Sequence, residues 1–264
     1  MLPQDAKLYR YMSFQRFYQL LFQKKIVLVL PEKWDDEYEQ FWLKSLASPE
    51  GQARCRKYIE GLSGNKAKIN DEIEKLSGLL FKATYCLCFS TKKDSEILWR
   101  AYSDNKKGIM IATTREKIES VFPELPVIKE VVYDLDQRDM FGSFMKHFKV
   151  LSDGSVIHWD ISDFLLHKRE CFSYEEEVRV MVHDWKATES GLLPVSIPDL
   201  RAFIDGVMVH PSADQEYVEV IELLCDHFFS HSLANQEFMI SFLSKLPYLM
   251  GAKSSCINIC TAVE

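Results

Sequence analysis

The chain has 264 residues, of which 47% are hydrophobic and 27% are charged, a balance that excludes the disordered and fibrous classes. Its formal net charge of −7 disfavours a large nucleic-acid surface, because non-specific affinity for phosphates needs clustered Lys and Arg. There is no apolar run long enough for a membrane span, and the density of cysteine is too low for a disulfide scaffold. Residues 1–7 lack a basic region followed by an apolar stretch, so we do not expect secretion. We therefore expect one cytoplasmic domain over residues 1–264 that does not bind membranes.

The first elements alternate between strand and helix. Residues 7–11 are predicted as a strand that stops at Ser13, a good helix N-cap. The helix that follows has an apolar face made of Phe14, Phe17, Tyr18, Leu21 and Phe22. A strand at 26–30 and an aromatic helix carrying Tyr38 come next, and residues 49–80 are predicted as a charged helical insertion or lid.

The rest of the chain continues this alternation. Strands are predicted at residues 84–89, 108–112, 127–133, 172–183, 204–209 and 237–242. Helices are predicted at residues 95–104, 136–151, 160–167 and 214–229. Residues 247–264 are a candidate disordered tail. Helices and strands mixed in this way indicate the α+β class.

Several common chemistries lack their residues. The sequence contains no phosphate-binding glycine loop, no dinucleotide-binding glycine motif, no zinc-protease helix and no nucleophile elbow. Cys86 and Cys88 face the same side of one strand, but no second pair of ligands stands at zinc spacing, so they are interpreted as small buried hydrophobes. No metal site is expected.

The most informative motif is the acidic start of the strand predicted at 172–183. Strand alternation places Glu175, Glu177 and Arg179 on one face and Glu176 on the other. The three could form a solvent-facing strip of an amphipathic strand. Alternatively, they could be an acid pair in a cleft, oriented by a cation and able to stabilise a cationic transition state.

Two further groups of residues are candidates for ligand binding. Arg10 lies beside Tyr11 on the first strand, and Arg is well suited to hold a diphosphate or carboxylate bidentately. The second group follows the strand at 84–89 and consists of Ser90, Thr91, Trp99 and Tyr102. Each group also has a structural interpretation, as a surface arginine in the first case and as a helix N-cap with core aromatics in the second.

The order and spacing of these motifs resemble the bacterial "domain of unknown function 2971" family, from about residue 8 to about residue 225. The matching residues are Leu8-Tyr9-Arg10-Tyr11, Trp34-Asp35-Asp36-Glu37-Tyr38-Glu39, Cys88-Phe89-Ser90 with Trp99, Tyr102, Asp104 and Gly108, and Tyr174-Glu175-x-Glu177-Val178-Arg179. One departure is Asp35, where the family pattern has Asn.

A second resemblance supplies a chemistry. An Arg on the first strand, a Ser-Thr pair ending a later strand and a Glu-x-Glu entering another are similar to the Arg, Ser and Glu motifs of ADP-ribosyltransferases. The resemblance implies a split mixed β-sheet core surrounded by helices, with NAD as the substrate that donates ADP-ribose. It also implies roles for single residues. Glu177 would face the oxocarbenium-like ribose, Glu175 would orient or deprotonate the acceptor, and Arg10 would hold the diphosphate. Ser90 would fix Arg10 or the ribose, and Trp99 or Tyr102 would stack on nicotinamide.

The resemblance leaves the acceptor and the biological role open. The acceptor could be a protein side chain, a nucleic-acid base or water, and the implied role is that of a bacterial toxin or an anti-phage effector. A non-catalytic module of the same fold that binds a nucleotide or a partner is one alternative. Another is a Mg²⁺-dependent nuclease-like enzyme that uses Asp35, Asp36 and Glu39, although acidic residues at a helix start are also expected to satisfy the helix dipole.

Overall fold

The computed structural model describes residues 2–39, 48–63, 83–134, 149–150, 157–158, 165–184, 190–229 and 239–241. Its strands are β1 (Lys7–Ser13), β2 (Lys25–Val29), β3 (Thr84–Ser90), β4 (Gly108–Thr114), β5 (Val127–Glu130), β6 (Lys149–Val150), β7 (Ile157–His158), β8 (Glu177–His183), β9 (Leu192–Ser196), β10 (Gly206–Val209) and β11 (Met239–Ser241). Its α-helices are α1 (Phe14–Gln23), α2 (Pro49–Ser63), α3 (Glu96–Tyr102), α4 (Arg115–Ser120), α5 (Leu200–Phe203) and α6 (Gln215–Phe229). The predicted α+β class is confirmed.

The chain divides into two compact units, each built from segments that are distant in sequence. The first unit comprises Met1–Ile26, Phe89–Leu125 and Pro194–Glu264, and the second comprises Val27–Cys88 and Pro126–Leu193. The expectation of one domain over residues 1–264 stays a prediction. Each unit has its own strands and its own buried residues.

In the first unit, β1 lies antiparallel to β4, and β4 lies antiparallel to β10. A parallel pair of β10 and β11 extends the same sheet. Helix α1 begins where predicted, because the Ser13 side chain accepts a hydrogen bond from the Arg16 amide at 3.4 Å. Its buried residues are Phe17, Leu20 and Leu21. Tyr18 and Phe22, predicted on the apolar face, are 44% and 49% exposed; their rings stack on each other with centroids 4.1 Å apart.

In the second unit, β8 lies between β3 and β5. The β5–β8 pair is antiparallel, and Val29 of β2 pairs with Cys86 of β3. A strand with neighbours on both sides has no free hydrogen-bonding edge, and β8 is buried from Glu177 to Met181. Polar side chains on this strand are therefore removed from water and must be satisfied by protein groups.

The strand predicted at 172–183 starts only at Glu177. Residues Glu170–Glu175 form a 3₁₀ helix, and Glu176 then takes a left-handed conformation with φ of 40°. Local hydrogen bonds explain the difference, because the carbonyl of Arg169 accepts from the Phe172 amide at 3.0 Å and the carbonyl of Ser173 accepts from the Glu176 amide at 3.3 Å. The aromatic and acidic residues before Glu177 therefore turn instead of extending.

The helix predicted at 160–167 also needs correction at its described end. Leu166 accepts a hydrogen bond from the Val132 amide at 2.8 Å, and the Lys168 amide donates to the Val132 carbonyl at 3.0 Å. This pattern is a short parallel bridge, which aligns the segment with the end of β5. Residues 64–80 of the predicted insertion, residues 136–148 and 151 of the next predicted helix and the predicted tail at 247–264 lie outside the described residues. The prediction of helix at 149–150 is wrong, because Lys149–Val150 form β6 and pair with β7.

Gly108 opens β4 in a space that no larger residue fits. A Cβ at this position would overlap the Cβ of Ser103 and lie 3.3 Å from Trp99 Cε3. Gly108→Ala should therefore lower the free energy of unfolding by about 1–3 kcal/mol, as measured by urea denaturation. Adding Ser103→Gly to this variant removes the overlapping carbon and should recover part of the loss. A Gly108→Ala protein as stable as the wild type would show that the two backbones are not this close.

Candidate functional site

Five charged side chains meet inside the second unit. They are Glu39, Lys168, Glu175, Glu177 and Arg179, and between 1% and 8% of each residue is exposed. We call this group the charge cluster. With all five groups ionised, three negative and two positive charges leave a net charge of −1. Charged residues are almost never this buried unless they are paired, so the hydrogen bonds within the group decide what it can do.

Four different stretches of backbone bring the cluster together. Alternation along β8 places Glu177 and Arg179 on one face, as predicted. Glu175 is the last residue of the 3₁₀ helix, and the left-handed turn at Glu176 leads from it into β8. Glu39 ends the acidic turn, and Lys168 follows the short parallel bridge.

Lys168 is at the centre of the three carboxylates. Its Nζ donates to Glu175 Oε2 at 2.7 Å and to Glu177 Oε2 at 3.0 Å, and it lies 3.2 Å from Glu39 Oε1. The same ammonium stands 4.8 Å from the centroid of the Phe172 ring. An ammonium has three protons to donate, and three acceptors surround this one.

Arg179 holds the other side of the cluster. Its Nε donates to Glu177 Oε1 at 2.7 Å, its Nη2 donates to Glu39 Oε2, and its Nη1 donates to the Leu165 carbonyl. The Trp34 ring lies over the guanidinium, with 4.3 Å between Cζ and the ring centroid. Because the guanidinium is planar and makes several hydrogen bonds, it fixes the orientation of the Glu177 carboxylate.

The two glutamates of the predicted acid pair are shifted in opposite directions. Burial alone would raise the pKa of Glu177, but the charge and hydrogen bond of Arg179 and the charge of Lys168 outweigh it and lower that pKa to about 2. Burial raises the pKa of Glu175, and the charge and hydrogen bond of Lys168 offset only part of that effect. Glu177 is thus a permanent anion near neutral pH, whereas Glu175 accepts a proton more readily than an ordinary glutamate.

Polar groups from β3 and from the segment after β5 complete the surroundings of Glu177. Its amide donates to the Tyr133 hydroxyl oxygen at 2.7 Å, and its carboxylate accepts from the Cys88 thiol. Burial raises the pKa of both Cys88 and Cys86, the latter to about 12, so both stay protonated at neutral pH. The two cysteines therefore contribute as small, weakly polar groups and not as nucleophiles.

Arg169 lies next to the cluster in an aromatic setting. Its Nη2 donates to Asp36 Oδ2 at 3.1 Å. Its Cζ is 4.2 Å from the Tyr38 ring centroid and 4.8 Å from that of Phe172. Asp36 and Glu39, two of the three acidic residues of the nuclease alternative, therefore contact protein cations at different places.

The predicted NAD-binding residues lie in the first unit, whereas Glu175 and Glu177 lie in the second. Within the first unit, Arg10 faces Ile111 across the β1–β4 pair, and its Cζ is 6.0 Å from the Phe89 ring centroid. The Tyr11 hydroxyl donates a hydrogen bond to the Lys92 carbonyl at 3.0 Å.

The Ser90 group is adjacent to these residues in the first unit. Ser90 is 5% exposed and accepts from the Lys92 amide at 2.9 Å, and Thr91 is half-buried. Trp99 is fully buried, and its ring centroid lies 4.8 Å from that of Tyr11 in an edge-on arrangement, whereas Tyr102 is 45% exposed. Of the two candidates for stacking on nicotinamide, Tyr102 is therefore the one with an accessible ring. The roles of all these residues stay predictions.

Sequence reasoning missed Lys168 altogether. It considered Glu39 as part of the DUF2971 motif and as a metal ligand, but not as a partner of Glu175 and Glu177. Lys168 precedes Glu175 by seven residues and Glu177 by nine, but the three residues share no helix or strand, so no periodicity groups them. Glu39 is separated from Arg179 by 140 residues. The sequence did contain one signal, in its composition. Lys168 and Arg179 stand close to the acid pair of Glu175 and Glu177, and the strand that carries Arg179 is otherwise mostly apolar.

Comparison with known proteins gives a family match and a likeness among solved structures. Residues 98–180 match the family described as protein of unknown function (DUF2971). The predicted resemblance to that family is confirmed over this stretch, which contains four of the five cluster residues and leaves out Glu39. A search among curated proteins finds no match.

Among solved structures, the chain is similar to Thermus sp. 2.9 DarT in complex with ADP-ribosylated ssDNA, with 9% sequence identity and a TM-score of 0.39. The alignment covers 92% of this chain and 96% of that one. A TM-score this low supports no conclusion about function. Within the described ranges, no helix combines the length and apolarity that crossing a bilayer requires.

Proposed function

We propose that this chain cleaves the nicotinamide–ribose bond of NAD and transfers ADP-ribose to an acceptor in the cytoplasm. The observation that supports this is the carboxylate pair of Glu175 and Glu177, which share one lysine and are shifted in opposite directions. When two carboxyl groups of a site have different pKa values, one can transfer a proton while the other stays ionised and stabilises positive charge.

Glu177 would stabilise the charge that develops on the ribose. When the bond between C1′ and the pyridine nitrogen breaks, its electron pair leaves with nicotinamide and a positive charge forms on the sugar. A fixed anion in a low-dielectric site lowers the energy of such a transition state more than that of the ground state. Both oxygens of Glu177 accept hydrogen bonds from cations, Oε1 from Arg179 and Oε2 from Lys168, so the carboxylate would act through its field and not as a nucleophile.

Glu175 would take the proton of the acceptor. The acceptor donates a lone pair to C1′ as nicotinamide leaves, and its proton passes to Glu175 directly or through one water. The raised pKa of Glu175 suits this role, since a base is most effective when its pKa approaches the working pH. A protein side chain, a nucleic-acid base or water would balance the reaction equally. Loss of NAD from a cell would be compatible with a toxin or an anti-phage effector.

The burial of the cluster favours one competing function. A binding module that recognises a nucleotide or a partner without turnover would need no access to Glu175 or Glu177, and its ion pairs would be purely structural. Both alternatives predict a folded protein, and only the enzyme predicts release of nicotinamide.

The deciding experiment is incubation of the purified full chain with NAD and chromatographic measurement of free nicotinamide. Turnover is expected with water as the acceptor, and a faster rate in the presence of a protein or single-stranded DNA would reveal the preferred acceptor. Glu176→Gln provides the matched control, because Glu176 is exposed and should leave the rate unchanged. If no nicotinamide appears while calorimetry detects NAD binding, the enzyme proposal fails and the binding module replaces it.

A further inference from the structure

Lys168 has a position in the charge cluster that none of the sequence motifs indicated. Its ammonium lies between Glu175 and Glu177, within 3.0 Å of one oxygen of each, and a third carboxylate, that of Glu39, is 3.2 Å away. The backbone of Lys168 is itself fixed, because its amide donates to the Val132 carbonyl at 3.0 Å. The fold therefore fixes the backbone from which this side chain extends, and the three carboxylates hold its ammonium.

The arrangement of the three carboxylates suits a lysine better than an arginine at this position. An ammonium donates in three directions from one point, which fits three carboxylates on separate elements. A guanidinium donates within one plane and could pair well with only one or two of them. The arginine of the cluster, Arg179, shows that plane-bound pattern toward Glu177 and Glu39.

We infer that Lys168 is a positioning residue for the proposed reaction, which fixes the separation of the Glu175 and Glu177 carboxylates and favours the ionised form of Glu175 in a buried site. This inference rests on the proposed function for its catalytic meaning, but the charge states that it concerns can be measured without any turnover. Lys168 itself does not touch the substrate and acts only through the two glutamates.

The groups around Glu175 allow the effect of losing Lys168 to be predicted. Lys168 donates a hydrogen bond to Glu175 and its positive charge favours the ionised carboxylate, whereas the charges of Glu177 and Glu39 disfavour that ionised form. Tyr133 and Tyr174 are also nearby, and both hydroxyls stay protonated because burial raises their pKa values. Arg179 bonds Glu177 and Glu39 instead. Removing Lys168 therefore leaves Glu175 buried beside two carboxylates, where its protonated form is favoured.

The test compares Lys168→Met with Lys57→Met, which removes the same charge from an exposed position on α2 in the same unit. Carboxyl carbons of the glutamates are followed by ¹³C NMR over a pH titration, and nicotinamide release is measured over the same range. In Lys168→Met, we expect Glu175 to titrate about one pH unit or more higher than in the wild type. The acid limb of the pH–rate profile should shift to higher pH by the same amount, because the base is protonated at a higher pH. Lys57→Met should change neither.

Removal of a buried cation can also prevent folding, and a second variant covers that case. Lys168→Met combined with Glu39→Gln keeps the net charge of the cluster at −1, and a smaller rise is expected there, because one of the two carboxylates that repel Glu175 is neutral. The inference is overturned if Glu175 titrates at its wild-type pH in whichever of these variants folds. A shifted NMR titration in a protein without NAD turnover would instead reject the proposed function and leave the control of charge by Lys168 standing.

Discussion

Glu177→Gln is expected to lower the rate of nicotinamide release from NAD by about a hundredfold or more, corresponding to roughly 3 kcal/mol of lost transition-state stabilisation. Glutamine keeps the size of the side chain and one acceptor oxygen. It removes the negative charge, which matters most as positive charge develops on the ribose. The change should therefore appear in kcat more than in KM, measured by steady-state kinetics with NAD.

Two controls separate this effect from loss of structure. Glu177 is bonded to Lys168 and Arg179, so the variant should be less stable and must be assayed well below its unfolding temperature. Glu176→Gln, one residue earlier and exposed, should retain the wild-type rate. A Glu177→Gln enzyme with wild-type kcat would remove the carboxylate from the mechanism.

Arg179→Met should lower the free energy of unfolding by about 3–5 kcal/mol, the largest stability effect expected for any single substitution in the cluster. The methionine fills part of the space. It leaves Glu177 and Glu39 buried without the guanidinium and leaves the Leu165 carbonyl without its donor. Urea denaturation followed by circular dichroism measures the loss.

The double variant Arg179→Met/Glu177→Gln gives the diagnostic comparison. If the loss comes from an uncompensated carboxylate, removing that charge as well should make the double variant more stable than Arg179→Met alone. Arg100→Met on α3 is the matched control, because its side chain is 78% exposed and its ion pair with Glu96 lies at the surface, so a change within about 0.5 kcal/mol is expected. Strictly additive losses would contradict the proposed coupling.

Local pattern was enough to predict much of the fold. The Ser13 cap, the strands β1, β3 and β4 and the helix α6 occur near their predicted positions, because each depends on capping or on hydrophobic periodicity within a few residues. Alternation along β8 also placed Glu177 and Arg179 on one face. Glu175 joins them as predicted but for a different reason, since it reaches the cluster from a 3₁₀ helix and not from the strand.

The rest of the site depends on contacts that no local pattern contains. Lys168 looks like a surface residue in the sequence, because nothing near it indicates that a parallel bridge to Val132 carries it inside. Glu39 belongs to the first of the two sequence segments of this unit, and it reaches the cluster through a non-local ion pair with Arg179. The environment of a charge, and not its identity, decides its pKa, so the opposite shifts of the two glutamates required the structure.

The wide separation of the cluster residues along the chain has a kinetic meaning. Glu39 and Arg179 are 140 residues apart, and Asp36 and Arg169 are 133 apart, so joining them requires closure of long loops. Before closure, each charge is hydrated, and burying one before its partner arrives costs several kcal/mol. Folding intermediates of the second unit in which only part of the cluster is buried are therefore high in free energy. Its charges should lose their water together in a late step of folding, and this unit should fold slowly, as contacts so distant in sequence generally do.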